Sequence, residues 1–283
     1  MHNRQPVISV IIPTFNRRHV LPRALRSVVA QDIDVPVEVI VVDDGSVDGT
    51  SDDIGSEFPQ VRYLVQENRG VSSARNVGIR AARGEWIALL DSDDAWLPDK
   101  LAVQLEALEA ATEYRVCHTE EIWIRNGVRV NPMKKHKKVG GWIYERCLPL
   151  CCISPSSVMI HRSIWDDVGV FDETLPACED YDLWLRICAR EPVLFVDRAL
   201  VQKYGGHDDQ LSRQYWGMDR FRIQALENIL ATEVLSPAQR VLTLSMMIRK
   251  LEILINGAKK RENQQLLAEY EPRLVQAIQE RES

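Results

Sequence analysis

At 283 residues the chain has room for one large domain or one and a half ordinary ones, and 45% hydrophobic with 27% charged residues is the composition of a soluble globular protein. A net charge of −6 excludes a general nucleic-acid binder, which needs an excess of Lys and Arg for phosphate contacts. Six cysteines without CxxC spacing exclude a disulfide framework and read as reduced thiols of a cytosolic protein, and no apolar run approaches the ~20 residues of a membrane span.

The N-terminus leads into a strand with no secretory signal. Residues 7–12 form a buried strand, closed by Pro13 and the polar turn Thr14-Phe15-Asn16-Arg17-Arg18. Leu21, Leu25, Val28 and Val29 recur at helical spacing and predict a helix over 19–30. A second strand, 37–42, stops at Asp43-Asp44-Gly45-Ser46, and a short polar helix spans 48–58. A third strand, 61–65, is followed by Asn68-Arg69-Gly70 and a helix over 71–83. The apolar run 86–90 suits a strand covered on both faces, and 98–110 the next helix. Strands alternating with helices predict a parallel sheet with right-handed crossovers, whose ligands bind beyond the carboxyl ends of the strands. Polar clusters at 14–17, 43–46 and 91–94 should therefore meet in one crevice.

After Thr112 the alternation stops. Residues 115–124 and 128–130 read as a hairpin around Asn126-Gly127. The basic run Lys134-Lys135-His136-Lys137-Lys138 reads as a mobile solvated loop, with a lipid-phosphate or acceptor contact as the alternative. A strand over 156–160, a turn at 168–172, an amphipathic helix over 180–190 and closing strands at 193–196 and 199–204 follow. From Tyr215 onward the chain is helical, with Ser236-Pro237 as an N-cap and first-turn pair. These last helices are expected to pack on the core or on a second subunit, making a homodimer, with attachment to a membrane surface as their other use. The expected division is a catalytic domain over 1–213, with halves at 1–112 and 113–213, and a helical extension over 214–283.

Asp91, Asp93 and Asp94 crowd the end of a buried strand, where like charges repel and lose hydration. A hard divalent cation removes that cost. The competing reading is a polar turn in which Asp93 or Asp94 caps the helix announced by Pro98; convergence of the three clusters favours the cation. Asp43 or Asp44 can accept an N–H from a base edge such as uracil N3, or close an Asx turn at Gly45. The segment from Gly70 to Asn76 opens a helix whose N–H groups attract anions, and Arg75 one turn in can reach phosphate oxygens. No GxxxxGK[ST] and no GxGxxG occurs, which disfavours ATP-driven phosphoryl transfer and nicotinamide binding. Asp180, after Glu179, is either the N-cap of its helix or a general base at a helix start. His207 sits in a polar loop late enough to fold back towards the carboxylates.

Residues 10–17, Val41 to Ser46, Asn68 to Asn76, Leu90 to Asp94 and Glu179-Asp180 together resemble the family 2 glycosyltransferases. These are inverting enzymes with the A-type nucleotide-sugar fold, a Rossmann-like, mostly parallel sheet flanked by helices. The resemblance covers about residues 6 to 213 and leaves the helical tail outside. It implies that Pro13, Thr14 and Asn16 line the nucleotide pocket, with Arg17, Asp44, Ser92 and Glu179 among the residues holding the nucleotide sugar. Asp43 would bind the base, and Arg75 would lie against the ribose or diphosphate. Asp91 and Asp93 would form the DxD motif for Mn2+ or Mg2+, with Asp93 the direct ligand. Asp180 would be the catalytic base, and His207 a metal or diphosphate contact. The family often has Arg after the tyrosine that precedes this histidine; here Gly205 stands there. A UDP-sugar donor, a glycan or lipid-linked acceptor, and a cytoplasmic site at the inner face of a membrane are the implied partners and location. The alternative is a non-catalytic nucleotide-sugar-binding or scaffolding domain derived from the same fold. A sugar-phosphate nucleotidyltransferase would need a Gly-rich basic loop where Pro13 to Arg17 stands.

Overall fold

The continuous apolar runs of the first half become four parallel strands. In the computed structural model, which describes residues 5–206 and 215–282, β1 (Ile8–Thr14), β2 (Val37–Asp43), β3 (Arg62–Val65) and β4 (Trp86–Leu89) alternate with α1 (Leu21–Val29), α2 (Thr50–Glu57) and α3 (Val71–Ala81). Every residue of β1 is buried, as a central strand covered on both faces requires. β1 lies between β2 and β4, parallel to both, and β3 pairs with the outer side of β2. α3 packs directly on β1 because Gly78 faces Ile11: a Cβ there would stand 2.4 Å from Ile11 Cγ2.

Beyond β4 the sheet becomes mixed. β5 (Ala95–Trp96), α4 (Lys100–Ala110), β6 (Val116–Arg125), β7 (Val128–Val130), α5 (Tyr144–Cys147), β8 (Met159–His161), α6 (Ser163–Val168), α7 (Glu179–Cys188) and β9 (Leu194–Gly205) follow in order. The strand order is β3-β2-β1-β4-β8-β6-β9-β5, with β7 on β6. β8 runs antiparallel to β4 and β6; β9 runs parallel to β6 and antiparallel to β5. The α/β sheet expected from the sequence is thus parallel throughout its first half and mixed in its second, where only β6 and β9 run parallel. Helical crossovers enforce parallel pairing only where strand and helix alternate, and that alternation ends at α4.

Local readings fare differently. Asn126 and Gly127, both at positive φ, turn the β6–β7 hairpin as expected. The two closing strands are one, β9, which stays paired across register shifts opposite Thr119, Glu120 and Glu121. The basic run is partly built in. Lys134–His136 form a 3₁₀ turn, and Lys138 is buried with its Nζ 3.0 Å from Glu121 Oε1.

The tail forms α8 (Asp219–Leu230), α9 (Pro237–Lys260) and α10 (Gln264–Glu282). Ser236 opens α9 with a capping box shared with Gln239. Ile223, Leu226 and Ile229 of α8 and Leu244, Met247, Leu251 and Ile255 of α9 are buried in the cluster that holds Leu183, Trp184 and Ile187 of α7. The tail therefore packs on the core. Among the described residues no helix is long and apolar enough to cross a membrane, and the six cysteines are free thiols.

His118 lies fully buried on β6 with Nε2 2.9 Å from the Val139 carbonyl. Burial, helped by the Lys138 charge, lowers its pKa from 6.5 to about 3. The folded chain holds it neutral while the unfolded chain protonates it. Its contribution is therefore intact above pH 6.5 and is lost as the pH falls from 6.5 towards 3. Thermal melts across that window should show Tm falling with pH, and His118→Gln should flatten the slope; an unaltered slope would contradict this assignment.

Candidate active site

β1 and β2 end level, with Thr14 opposite Asp43, and the Asp44 N–H donates to the Thr14 carbonyl at 2.8 Å. Pro13 and Thr14 are buried, and Thr14 Oγ1 has no hydrogen-bond partner among the described residues. Asn16, at φ 52°, ties the two turns together: its N–H donates to Ser46 Oγ at 2.8 Å and its Oδ1 accepts from the Val47 N–H at 2.9 Å. Asp43 accepts from the Tyr63 hydroxyl and, at 2.8 Å, from the Ser46 N–H, a bond one residue beyond the span of the Asx turn expected at Gly45. Asp44 accepts from Gln66 Nε2 at 2.6 Å and from the N–H groups of Arg69 and Gly70 at 2.9 and 2.8 Å. Its carboxylate thus braces the loop that leads into α3.

The Leu90 N–H donates to the Ile11 carbonyl at 3.0 Å, so Asp91 leaves the sheet beside the end of β1. Arg75, 4% exposed, reaches it from α3: Nη2 lies 2.7 Å from Asp91 Oδ1, and Nη1 lies 2.7 Å from Glu179 Oε1. The guanidinium also sits 5.0 Å from the centre of the Phe171 ring. Both terminal nitrogens of the arginine expected at the ribose or diphosphate are thus engaged by carboxylates. Burial works to raise the Asp91 pKa, but Arg75 and then Lys203 outweigh it and hold the carboxyl below its ordinary value. Burial and the neighbouring Asp180 push Glu179 up, against Arg75.

Ser92 is buried in the same turn. Asp93 is partly exposed, its Oδ2 3.8 Å from Arg17 Nη1, and its backbone carbonyl accepts from Arg23. Asp94 is buried, accepting from the Tyr204 N–H at 2.9 Å and the Ser156 hydroxyl at 2.6 Å. Burial pushes its pKa up to about 8, with Asp93 and Asp91 adding to the effect and Lys203 opposing it. Neither carboxylate caps a helix, because α4 starts at Lys100 behind Asp99.

α7 opens behind Cys178, at φ 63°, so Asp180 is the second helical residue and not the N-cap. Its Oδ1 accepts from the Tyr181 N–H at 2.7 Å, and the Cys151 thiol lies 3.0 Å from Oδ2. Arg17, His19, Arg23, Asp93, Asn126 and Tyr204 are among the residues that line a cavity of about 290 Å³. His207 lies outside the described residues.

The description Glycosyl transferase family 2 belongs to a sequence model that matches residues 9–164. The chain belongs to glycosyl transferase family 2. An uncharacterized glycosyltransferase of Rickettsia felis is 30% identical over 216 residues, which are 74% of this chain and 36% of that protein. The chain spans 31% to 36% of the length of the first curated relatives it matches. The Escherichia coli protein named UDP-Glc:alpha-D-GlcNAc-diphosphoundecaprenol beta-1,3-glucosyltransferase WfaP is 29% identical over 191 residues, 65% of this chain and 71% of that one. Among solved structures, S. aureus TarS 1–349 superposes with a TM-score of 0.73 at 20% identity, covering 97% of this chain and 81% of TarS, so the fold is shared. The same TarS segment is also solved in complex with UDP-GlcNAc.

Within this family 2 chain the structure adds residues that the sequence did not single out. Lys203 of β9 donates to Ser154 Oγ at 2.9 Å. Burial works to lower its pKa, yet Glu121, Asp94, Asp91 and Asp180 together hold it well above the ordinary lysine value. One ammonium thus feels Asp91, Asp94 and Asp180 together. Ser156 links Asp91 and Asp94, accepting from the Asp91 N–H at 3.1 Å while its hydroxyl donates to Asp94. The one sequence signal was a charged residue in a strand otherwise read as closing the core. Among the described residues no group of three or more His, Cys, Asp or Glu is arranged to hold a metal. A magnesium or manganese ion that shares its coordination with diphosphate oxygens needs only one or two carboxylates. Asp91 and Asp93, with side chains 25% and 20% exposed, fit that limited role as hard oxygen donors.

Proposed function

We propose that this chain transfers a sugar from a nucleoside diphosphate sugar, with UDP as the carrier, to a hydroxyl of a glycan or lipid-linked acceptor, inverting the anomeric centre. The observation that carries the reading is the Asp91–Arg75–Glu179 bridge. It ties the end of β4 to the start of α7, which supports a site shared by the DxD turn and Asp180. The TarS complex with UDP-GlcNAc, and UDP-Glc with a diphosphoundecaprenol-linked acceptor in the name of WfaP, support the choice of donor and acceptor class.

In this reading the knitted turns after β1 and β2 hold the nucleotide, with the unpartnered Thr14 hydroxyl available to it. Asp91 and Asp93 would hold Mn2+ or Mg2+, which when bound offsets the charge that develops on the leaving diphosphate. Lys203 supplies a fixed positive charge between the two carboxylate groups, in a site where burial strengthens its field. Asp180 accepts the proton of the attacking hydroxyl, and attack on the face opposite the diphosphate inverts the configuration. We place the catalytic unit at 1–213, with the helical extension supporting α7 from below, and the working location at the inner face of a membrane.

Nucleoside diphosphate sugars offered one at a time with Mn2+ should raise Tm for the true donor, since a ligand that binds only the folded state stabilises it by mass action. No shift from any UDP-sugar would overturn the donor assignment. Asp93→Ala is expected to abolish the metal-dependent part of nucleotide-sugar binding in calorimetry run with and without Mn2+. Equal heats from mutant and parent would remove the metal from the proposal.

A further inference from the structure

Between Glu121 and Glu145 the chain has no carboxylate, while Arg125, Arg129, Lys134, Lys135, Lys137, Lys138 and His136 all fall in that interval. The whole molecule carries a net charge of −6, so this stretch is a strong local reversal. Lys138 turns inward to Glu121. The other four lysines and arginines nearest the turn, with Lys137, are exposed, and among the described residues none of these five carries an ion pair. Turn and hairpin form one surface. The His136 ring packs against Trp123 of β6 at 5.1 Å between centroids, and the Arg125 guanidinium lies 6.0 Å from the same indole. Arg125 and Val128 face each other across the hairpin. After burial, Lys135 and Arg125 lower the His136 pKa, against Glu121, in keeping with the positive charge gathered there.

We infer that the β6–β7 hairpin and the basic turn after it form a docking surface for an anionic lipid bilayer. A soluble polyanion would need the cations only, yet Val128 and Met133 stand 65% and 60% exposed among them. Apolar side chains set in a basic face are the pattern that inserts at a charged lipid interface. The tail helices, the other sequence candidate for this role, commit most of the apolar residues of α8 and α9 to the core and leave Val241, Leu242 and Ile253 of α9 exposed. The hairpin also reaches the cleft, because Ile124, Asn126 and Gly127 line the same cavity as Asp93. A bilayer against the hairpin would present a lipid-borne hydroxyl at that mouth; this purpose rests on the proposed transfer, whereas the binding does not.

The test is flotation of the full chain with vesicles of phosphatidylglycerol and phosphatidylcholine, against phosphatidylcholine alone. The chain should partition to the anionic vesicles and leave them as salt is raised. The triple variant K134E/K135E/K137E should weaken partitioning at least ~10-fold, since each lysine near such a surface is worth a factor of about five. Met133→Ser should weaken it as well, and the matched reversal K260E/R261E/R281E on the tail should not. Absence of partitioning, or an equal loss in the tail variant, would overturn the proposal. So would full competition by inorganic polyphosphate together with an unaffected Met133→Ser, which would mark a soluble-polyanion site. Calorimetry with UDP-GlcNAc on the triple variant keeps the two readings apart: nucleotide binding should be unchanged there, whichever way flotation falls.

Discussion

Asp180→Asn is expected to lower kcat at least ~10²-fold while nucleotide-sugar affinity stays nearly constant, because a general base contributes to the proton transfer and not to donor binding. The amide has the shape of the carboxylate and its oxygen can still accept the Tyr181 N–H, so the first turn of α7 should persist. What disappears is a proton acceptor at Oδ2, the oxygen beside Cys151. Release of free UDP in the presence of acceptor gives the rate, and calorimetry gives the affinity. Turnover near that of the parent would end the assignment of Asp180 as base, and a parallel loss of affinity would recast it as a donor contact.

Arg75→Met is expected to destabilise the fold by about 3 kcal/mol, the lower end of the cost of breaking a buried ion pair by removing one partner. Glu179 loses its counter-charge and Asp91 keeps only that of Lys203. Glu179 is 6% exposed in its side chain and cannot be rehydrated in place; Asp91, at 25%, can be in part, which sets the figure at the low end. Lysine is not expected to rescue, since it cannot bridge two carboxylates with separate in-plane donors. The pH dependence follows from Asp91, whose pKa is held below its ordinary value of 3.8. That stabilisation is present above pH 3.8 and is lost as the pH falls below it, so the gap between parent and variant should narrow in acid. Urea unfolding at neutral and acid pH measures both; a gap below ~1 kcal/mol at neutral pH would show that the bridge carries little stability.

What the sequence made legible follows from the range of the forces involved. The runs at 7–12, 37–42 and 86–90 are apolar without alternation, and burial on both faces leaves no other reading for segments that short. Asn126-Gly127 encodes its own hairpin through two residues that tolerate positive φ. β5 escaped because two residues, Ala95 and Trp96, carry no period at all; they are a strand only because β9 pairs with them. β9 looked like two strands because Asp197-Arg198 interrupts its apolar pattern, while the ladder to β6 continues across it. At the site, Asp91, Asp93 and Asp180 were legible as charges at predicted element ends. Lys203 and Ser156 were not, since a polar residue in a strand looks the same whether it faces water or a buried carboxylate. Asp44 was legible only as a carboxylate at a strand end; that its oxygens receive a side-chain amide and two backbone N–H groups of the protein itself depends on a loop about 25 residues away.

The switch in strand direction at β4 has a consequence for how the molecule can change. β4 is parallel to β1 on one edge and antiparallel to β8 on the other. Everything that fixes the turns at Thr14 and Asp43 lies on the first edge, and everything contributed by Ser156, Tyr204 and Lys203 arrives over the second. Replacing the chain from β6 to β9 would therefore redraw one wall of the cleft, and the opposite wall would keep its alignment only where the new segment still offers Arg75 a carboxylate in the place of Glu179. Two recognition problems are divided along a single strand, and a buried ion pair is what each must leave in place to be re-solved apart from the other.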